Sequence, residues 1–350
     1  MTRRPPWSGC ASWRRRRRAI NPETLGTAAG RAIAAGETAR GRTSPNPPVG
    51  CVLIDDSGEP IAIGATEPAG GAHAEVQALR EAGERARGAT AVVTLEPCNH
   101  TGRTGPCSRA LVEAGVRKVI YLTADPNPEA AGGAAYLREH GVEVEHMPVR
   151  VAALQPWLTA VRLGRPSVTL KFAATLDGFT AAADGTSQWI TGEETRAFVH
   201  EDRATRDAII VGTGTVLADD PSLTARHPDG TLYEQQPRRV VVGTRAVPAG
   251  SNLDRLGYEQ YATPEEALSA LWETGARDVL VEGGAGLARS FVAADLVDAV
   301  QAYIAPMLLG AGRGVLGGPV AATLSGAHRF RRTFSRPFGD DVLIELEKEQ

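Results

Sequence analysis

The chain is expected to fold as two α/β domains in succession, and three observations carry that expectation. Its 350 residues suffice for two cores of ordinary size. Apolar runs of strand length alternate with segments of helical spacing, the pattern of sheets covered by helices. The alternation pauses once, between about 147 and 165, and then begins again.

The elements follow in order. Asn21 caps, and Pro22 opens, an Ala- and Glu-rich helix running to about Gly36. The cluster Thr43-Ser-Pro-Asn-Pro-Pro48 is a turn. Val49 to Ile54 and Ile61 to Gly64 flank Asp56-Ser-Gly58 and read as a hairpin. His73 to Ala82 has apolar residues at helical spacing, and Ala91 to Leu95 reads as a buried strand. Helix Arg109 to Ala114, strand Val116 to Leu122, the loop Asp125-Pro-Asn-Pro128, a helix around Tyr136 and strand Val142 to Val144 complete a domain spanning 21–148. A helical connector, 149–164, ends at Gly164-Arg-Pro166. The second domain, 165–350, holds strands Val168 to Ala173, Ala208 to Val211, Val240 to Val242 and Val279 to Val281. Helices Pro264 to Glu273 and Leu287 to Ala293 belong to it as well.

Composition narrows the function classes. An apolar share of 42% and a charged share of 23% are those of a soluble globular protein. No run approaches the ~20 apolar residues that a membrane-spanning helix needs. Residues 1–20 carry seven arginines and no acid, and without an apolar segment they read as a solvated, disordered tail outside the fold. The remainder holds 31 basic and 41 acidic residues, a net of −10, so the body gives no electrostatic case for nucleic acid. Four cysteines are too few for a disulfide framework and fit a reducing cytoplasm.

Two of those cysteines, Cys98 and Cys107, share a polar Gly/Pro-rich loop, downstream of His73-Ala-Glu75. Imidazole and thiolate are zinc donors, and a catalytic zinc takes three protein ligands and a water. His73, Cys98 and Cys107 are therefore the expected ligands, and the bound water is acidified towards ~7. Glu75, two positions from the histidine at a helix start, reaches that water without ligating the metal. It is the expected proton shuttle, from water to a ring nitrogen and to departing ammonia. This is the His-x-Glu and Pro-Cys arrangement of zinc nucleobase deaminases, although Cys98-x₈-Cys107 replaces the usual Cys-x-x-Cys.

The wider match is to one family. Pro45-Asn-Pro-Pro-Val-Gly50, His73-Ala-Glu-Val76, Thr94 to Cys107 and Asp125-Pro-Asn-Pro128 resemble the bifunctional riboflavin-biosynthesis deaminase/reductase family. Leu176-Asp-Gly178, Ser187 to Gly192, Thr215 to Pro221 and Val281-Glu-Gly-Gly284 continue the resemblance. It implies a cytidine-deaminase-like α/β/α domain followed by a dihydrofolate-reductase-like α/β domain. The first would deaminate a diamino-hydroxy-pyrimidine carrying a phosphoribosylamino arm. The second would reduce its ribosyl group to ribityl with NADPH. The resemblance implies substrate contacts at Asn46, His100 and Arg103 in the first half. In the second it implies substrate contacts at Ser187, Arg203, Leu223, Arg226 and Glu282, and cofactor contacts at Ala173, Trp189, Thr215, Asp219, Gly284, Ala285 and Gly286. It also implies a dimer or tetramer with interfaces in the second domain. Lys171 is a candidate for positioning the reacting sugar, or a strand-end lysine in solvent. Trp189 is a core residue or a stacking wall. Three departures from the family pattern are Thr66 for a histidine, Gly105 for a proline and Gly243 for an acid.

Read without the family, the second half says less. Glu282-Gly-Gly-Ala-Gly286 follows a strand and opens a helix, a place where backbone amides hold phosphate. Neither it nor Gly212-Thr-Gly214 has the spacing of a dinucleotide fingerprint. Other readings are a nucleotide-binding second domain that does not reduce, an RNA deaminase anchored by its basic tail, and a purely structural zinc domain. The last needs a fourth protein ligand, for which His100 is the plausible residue.

Overall fold

The computed structural model describes residues 22–100, 105–128, 130 and 132–349. Residues 1–20, the cap Asn21 and Arg103 lie outside the described residues. The first unit contains α1 (Pro22–Thr38), β1 (Gly50–Ile54), β2 (Pro60–Ala65), α2 (Ala74–Ala82), β3 (Thr90–Val93), α3 (Cys107–Glu113), β4 (Lys118–Tyr121), α4 (Gly133–Glu139) and β5 (Glu143–His146). Its sheet has the order β2-β1-β3-β4-β5. The hairpin strand β1 runs antiparallel to β2 and β3, while β3, β4 and β5 are parallel. Every residue of β1 is buried, which explains its unbroken apolar run: helices cover both faces of a central strand. The hairpin turn closes on Asp55, whose carboxylate accepts from the Ser57 amide at 2.8 Å and the Glu59 amide at 3.0 Å.

The connector is α5 (Gln155–Leu163), preceded by a 3₁₀ turn at Ala152–Leu154 and ended by Gly164 in the left-handed conformation. Val151, Leu154, Trp157 and Leu158 pack into the core of the first sheet. The chain then enters β6 (Ser167–Thr175) and β7 (Phe179–Ala182), followed by α6 (Glu193–Arg203), β8 (Ala208–Gly212) and α7 (Thr213–Asp219). Next come β9 (Arg238–Val242), α8 (Asn252–Leu256), β10 (Glu259–Tyr261), α9 (Pro264–Glu273), β11 (Asp278–Val281) and α10 (Ala285–Ala293). The C-terminal strands are β12 (Ala299–Ala305), β13 (Gly312–Gly314), β14 (Phe330–Phe338) and β15 (Asp341–Lys348). The second sheet has the order β10-β9-β8-β11-β6-β12-β15-β14. It is parallel from β10 to β12 and antiparallel beyond.

Strands and helices of the first unit fall where the sequence pattern puts them, within a few residues. The second unit holds more than its pattern announces, notably α6, α7 and the antiparallel edge β12, β15 and β14. In α6 only Thr195, Val199 and Asp202 are buried, so its charged sequence shows no apolar stripe. An edge strand such as β14, exposed along most of its length, has no buried face to pattern. Among the described residues no helix is long and apolar enough to cross a membrane.

Candidate active site

The ends of three elements build the first site. His73 is the residue before α2, Cys107 is the first residue of α3, and Cys98 sits in the loop after β3. His73 Nδ1 lies 3.2 Å from Cys107 Sγ and 3.7 Å from Cys98 Sγ, and all three donor atoms fall within 4.8 Å of one another. Tetrahedral zinc with its usual bond lengths separates S and N ligands by roughly 3.6 Å, so the triangle fits the ion. Among the described residues this is the one His/Cys/Asp/Glu group that could hold a metal. A hydrogen bond from Cys107, then one from His73, draws the Cys98 thiol down to about 4. The hydrogen bond to Cys98, with burial, pushes the Cys107 thiol up. Glu75 is 4% exposed, and burial pushes its carboxyl up to about 7.

A cavity of ≈ 290 Å³ opens over the triangle. Asn46 and His100 line it beside His73, Glu75 and Cys98, as the sequence expects. Asp125, Asn127, Glu96 and Trp157 also line it, and none of these was singled out individually from sequence. For Asp125 and Asn127 the signal was the polar Asp125-Pro-Asn-Pro128 loop placed directly after the parallel strand β4, where α/β sites open. Burial pushes the Asp125 carboxyl up to about 6. Thr66 lines the cavity too, but its hydroxyl accepts from the Val49 amide at 3.1 Å, so it serves the backbone. Gly105 has open space where a Cβ would stand, so a proline's absence there relieves no clash.

A second cluster forms on the larger sheet. The Arg203 guanidinium, in the last turn of α6, forks onto Glu282 at 2.6 and 2.7 Å and donates to the Thr224 carbonyl at 3.0 Å. Lys171 Nζ stands 3.9 Å from the same carboxylate and 5.6 Å from the Tyr303 ring centre. Lys171 is thus half-buried in mid-strand and is no solvent-facing strand end. Burial pushes the Glu282 carboxyl up, but Arg203 and Lys171 outweigh it and hold the group at about 2. Burial lowers Lys171. His200, unflagged by sequence, joins through the Thr224 carbonyl at 3.0 Å and lies 3.4 Å from exposed Arg226. Burial, then Arg203 and Arg226, press it down to about 4. Glu282 and Thr224 engage three of the five Arg203 donors, while Arg226 stands exposed at the rim beside His200.

The glycine turns meet at the carboxyl ends of adjacent strands β8 and β11. Gly284 N–H donates to Thr215 Oγ1 at 2.8 Å, and Gly212 N–H to the Gly283 carbonyl at 3.2 Å. Asp219 lies one turn beyond Thr215 on α7, exposed. Ala285 and Gly286 open α10, while Ala173 is half-buried on β6. Ser187 is half-buried in the segment between β7 and α6. Two expected contacts are placed differently from a simple side-chain role. Leu223 is 3% exposed, its side chain in a core with Ile209 and Val211, so only its backbone is offered. Trp189 is 65% exposed beneath the Arg196 guanidinium, which removes the core reading. At Gly243 (φ 127°) a Cβ would come within 2.8 Å of Thr213 Oγ1, so an acid does not fit there without displacement.

A domain with a His/Cys/Cys triangle, joined to one with a charged cluster and two glycine turns at its strand ends, fits a deaminase domain joined to a reductase domain. Residues 25–123 match the cytidine and deoxycytidylate deaminase zinc-binding region, and residues 166–344 match the RibD C-terminal domain. Riboflavin biosynthesis protein RibD of Corynebacterium ammoniagenes is 62% identical over 303 residues, covering 85% of this chain and 90% of that protein. The solved RibD of Acinetobacter baumannii superposes with a TM-score of 0.83 at 36% identity, over 94% of this chain and 99% of that one. A Thermotoga maritima diaminohydroxyphosphoribosylaminopyrimidine deaminase/5-amino-6-(5-phosphoribosylamino)uracil reductase gives 0.80 at 33% identity, over 93% and 99%. The chain belongs to the RibD family of riboflavin biosynthesis, with deaminase and reductase activities.

Proposed function

We propose that the first site, holding zinc on His73, Cys98 and Cys107, hydrolyses an amino group from a diamino-hydroxy-pyrimidine carrying a phosphoribosylamino arm. The second then reduces the ribosyl group of that product to ribityl with NADPH. The observation that carries the reading is the ligand triangle with buried Glu75 at the floor of a polar cavity. Zinc there supplies Lewis acidity and makes water a nucleophile at neutral pH. Glu75 removes the proton from the attacking water and returns it to the ring nitrogen. The same carboxylate then takes the remaining proton from the hydroxyl added to the ring carbon and gives it to the amino group, so that C=O forms as the C–N bond breaks and ammonia leaves. Asn46, His100 and Arg103 orient ring and phosphate, with Asp125 and Asn127 offering further polar edges.

In the second site the Gly212 and Gly284 turns, with Ala173, Trp189, Thr215, Asp219, Ala285 and Gly286, seat the cofactor, which supplies the hydride. Lys171, held by Glu282, faces the sugar; Arg226, Arg203, Ser187 and the Leu223 backbone hold the rest of the substrate. Exposed Arg245, 3.3 Å from Thr213 Oγ1, is a cation suited to the additional phosphate of NADPH. We place the protein in the cytoplasm as a dimer or tetramer, which sedimentation would test.

The deciding experiment measures zinc per chain, ammonia released and NADPH consumed on the diaminopyrimidine substrate. One zinc, with ammonia followed by equal NADPH loss, is expected. Ammonia without NADPH loss would reduce the second domain to nucleotide binding, and absence of both zinc and ammonia would defeat the reading.

A further inference from the structure

The loop between α1 and β1 belongs to the first unit, yet the second unit holds it in place. Ser44 Oγ donates to Asp207 Oδ2 at 2.8 Å. That oxygen also accepts from the backbone amides of Arg277 at 2.7 Å and Asp278 at 2.9 Å, so Asp207 clasps the entry of β11 and the loop together. Arg40, at the start of the loop, lies 3.5 Å from Asp278. At Gly41 a Cβ would stand 2.7 Å from the Ala204 carbonyl, so the loop backbone rests directly on the turn before β8. The space left around Ser44, Gly41, Asp207 and Asp278 is only ≈ 20 Å³, room for about one water.

The same loop forms one wall of the zinc-site cavity. Asn46 N–H donates to the Thr43 carbonyl at 2.9 Å, and Thr43 Oγ1 donates to the Asn46 carbonyl at 3.0 Å. Asn46 is therefore set by a turn whose middle residues are Ser44 and Pro45. Trp157 Nε1 donates to the Pro45 carbonyl at 2.9 Å and fixes that peptide from the connector side. Pro45, Asn46 and Trp157 all line the cavity. Among the described residues, one side-chain hydroxyl, that of Ser44, ties the middle of this turn to a charged group of the other unit.

We propose that Asp207 of the reductase domain, acting through Ser44, is a positioning residue for deamination: it fixes the turn that presents Asn46 to the pyrimidine. The proposal rests on the reading of this cavity as the deamination pocket. A hydrogen bond to a charged group loosened at the turn lets Asn46 leave its bound position, which weakens substrate binding while the zinc ligands and Glu75 stay in place. Neither Ser44 nor Asp207 lies in the second site, which is built from the opposite, carboxyl-terminal ends of β8 and β11.

The test compares full-length wild type with Ser44→Ala, Ser44→Thr and Asn46→Ala. Measurements are steady-state ammonia release, zinc content, melting temperature, and NADPH oxidation on the already deaminated intermediate. Ser44→Ala should raise the deamination KM roughly ten-fold and change kcat less than about two-fold. Zinc content and reduction of the intermediate should not change, and Ser44→Thr, which keeps the hydroxyl, should restore the KM. An unchanged KM in Ser44→Ala with a raised KM in Asn46→Ala overturns the positioning role and leaves the pocket reading standing. An unchanged KM in both overturns the pocket reading along with it. Parallel loss of melting temperature and NADPH oxidation in Ser44→Ala also overturns the proposal, since it reports a loosened seam.

Discussion

Replacing Gly133 by alanine should damage the metal site without touching a ligand. Gly133 opens α4, and a Cβ built on it would stand 1.7 Å from the Pro97 carbonyl oxygen. A carbon–oxygen contact needs ~3.3 Å, so the Pro97–Cys98 peptide and the start of α4 must separate by roughly 1.6 Å. Zinc ligands are placed to within ~0.2 Å, and Cys98 is the next residue along. Nor is the peptide free to slide elsewhere, because the Cys98 carbonyl accepts from Ser108 N–H at 3.2 Å and Asn99 N–H donates to Ala130 at 3.0 Å. Changes that misplace a ligand indirectly cost about 10- to 100-fold in metal affinity. Competition against a chromogenic chelator should therefore show zinc affinity down by that factor, with ammonia release falling at limiting zinc and recovering partly in excess. Circular dichroism should remain near wild type, since the strain is local. Wild-type zinc affinity in this variant would show that the loop yields freely and would refute the argument.

Three further outcomes are expected. Glu75→Gln should retain full zinc and lose deamination by about 10²- to 10⁴-fold, because it removes a proton shuttle and no ligand; substantial activity would exclude that role. Asp202→Ala leaves the Arg206 guanidinium, 3% exposed and bonded to Asp202 at 2.9 and 3.1 Å and to Asp278 at 2.8 Å, short of a partner. The cost should be ~3–5 kcal/mol by urea unfolding, whereas Glu37→Ala, which removes the exposed partner of Arg40, should cost under about 1 kcal/mol; equal effects would contradict the burial argument. Glu282, held at about 2 against an ordinary carboxyl value of 4.5, binds its proton more readily unfolded than folded. Its contribution, roughly 3 kcal/mol, is present above pH 4.5 and lost as the pH falls towards 2, so the stability gap between wild type and Glu282→Gln should narrow through that window. A gap independent of pH would rule out the ionised carboxylate as its source.

What the sequence conveyed about the first unit follows from how its chemistry is encoded. His73, Glu75, Cys98 and Cys107 lie within 35 residues, and each is a residue type whose chemistry narrows its use. Their fixation is local too: His73 and Cys107 sit at helix starts, which a turn and a Pro announce. Asp125 and Asn127 were legible only as a loop, because a carboxylate in a turn is ordinary until a cavity wall surrounds it. The hydroxyl of Ser44 carried no signal at all. Its partner is 163 residues away, and nothing in either local sequence records the pairing.

The second unit is harder to read because its site is assembled from tertiary pairs. Lys171, His200, Arg203, Arg226 and Glu282 come from a mid-strand position, a helix, a loop and a strand end, and apart from His200 and Arg203, three apart on α6, no two share a spacing that implies contact. Charge neutralisation gives the cluster its meaning. Glu282 stays ionised because Arg203 and Lys171 outweigh its burial, and Arg203 is thereby held half-buried against it rather than free at the surface. A sequence argument weighs each arginine singly and assigns both the same task. The folded sheet separates them: Arg203 braces Glu282, and Arg226 stands at the exposed rim. That division of labour comes from β8 and β11 lying side by side, a pairing set by the parallel order of strands about 70 residues apart in the chain.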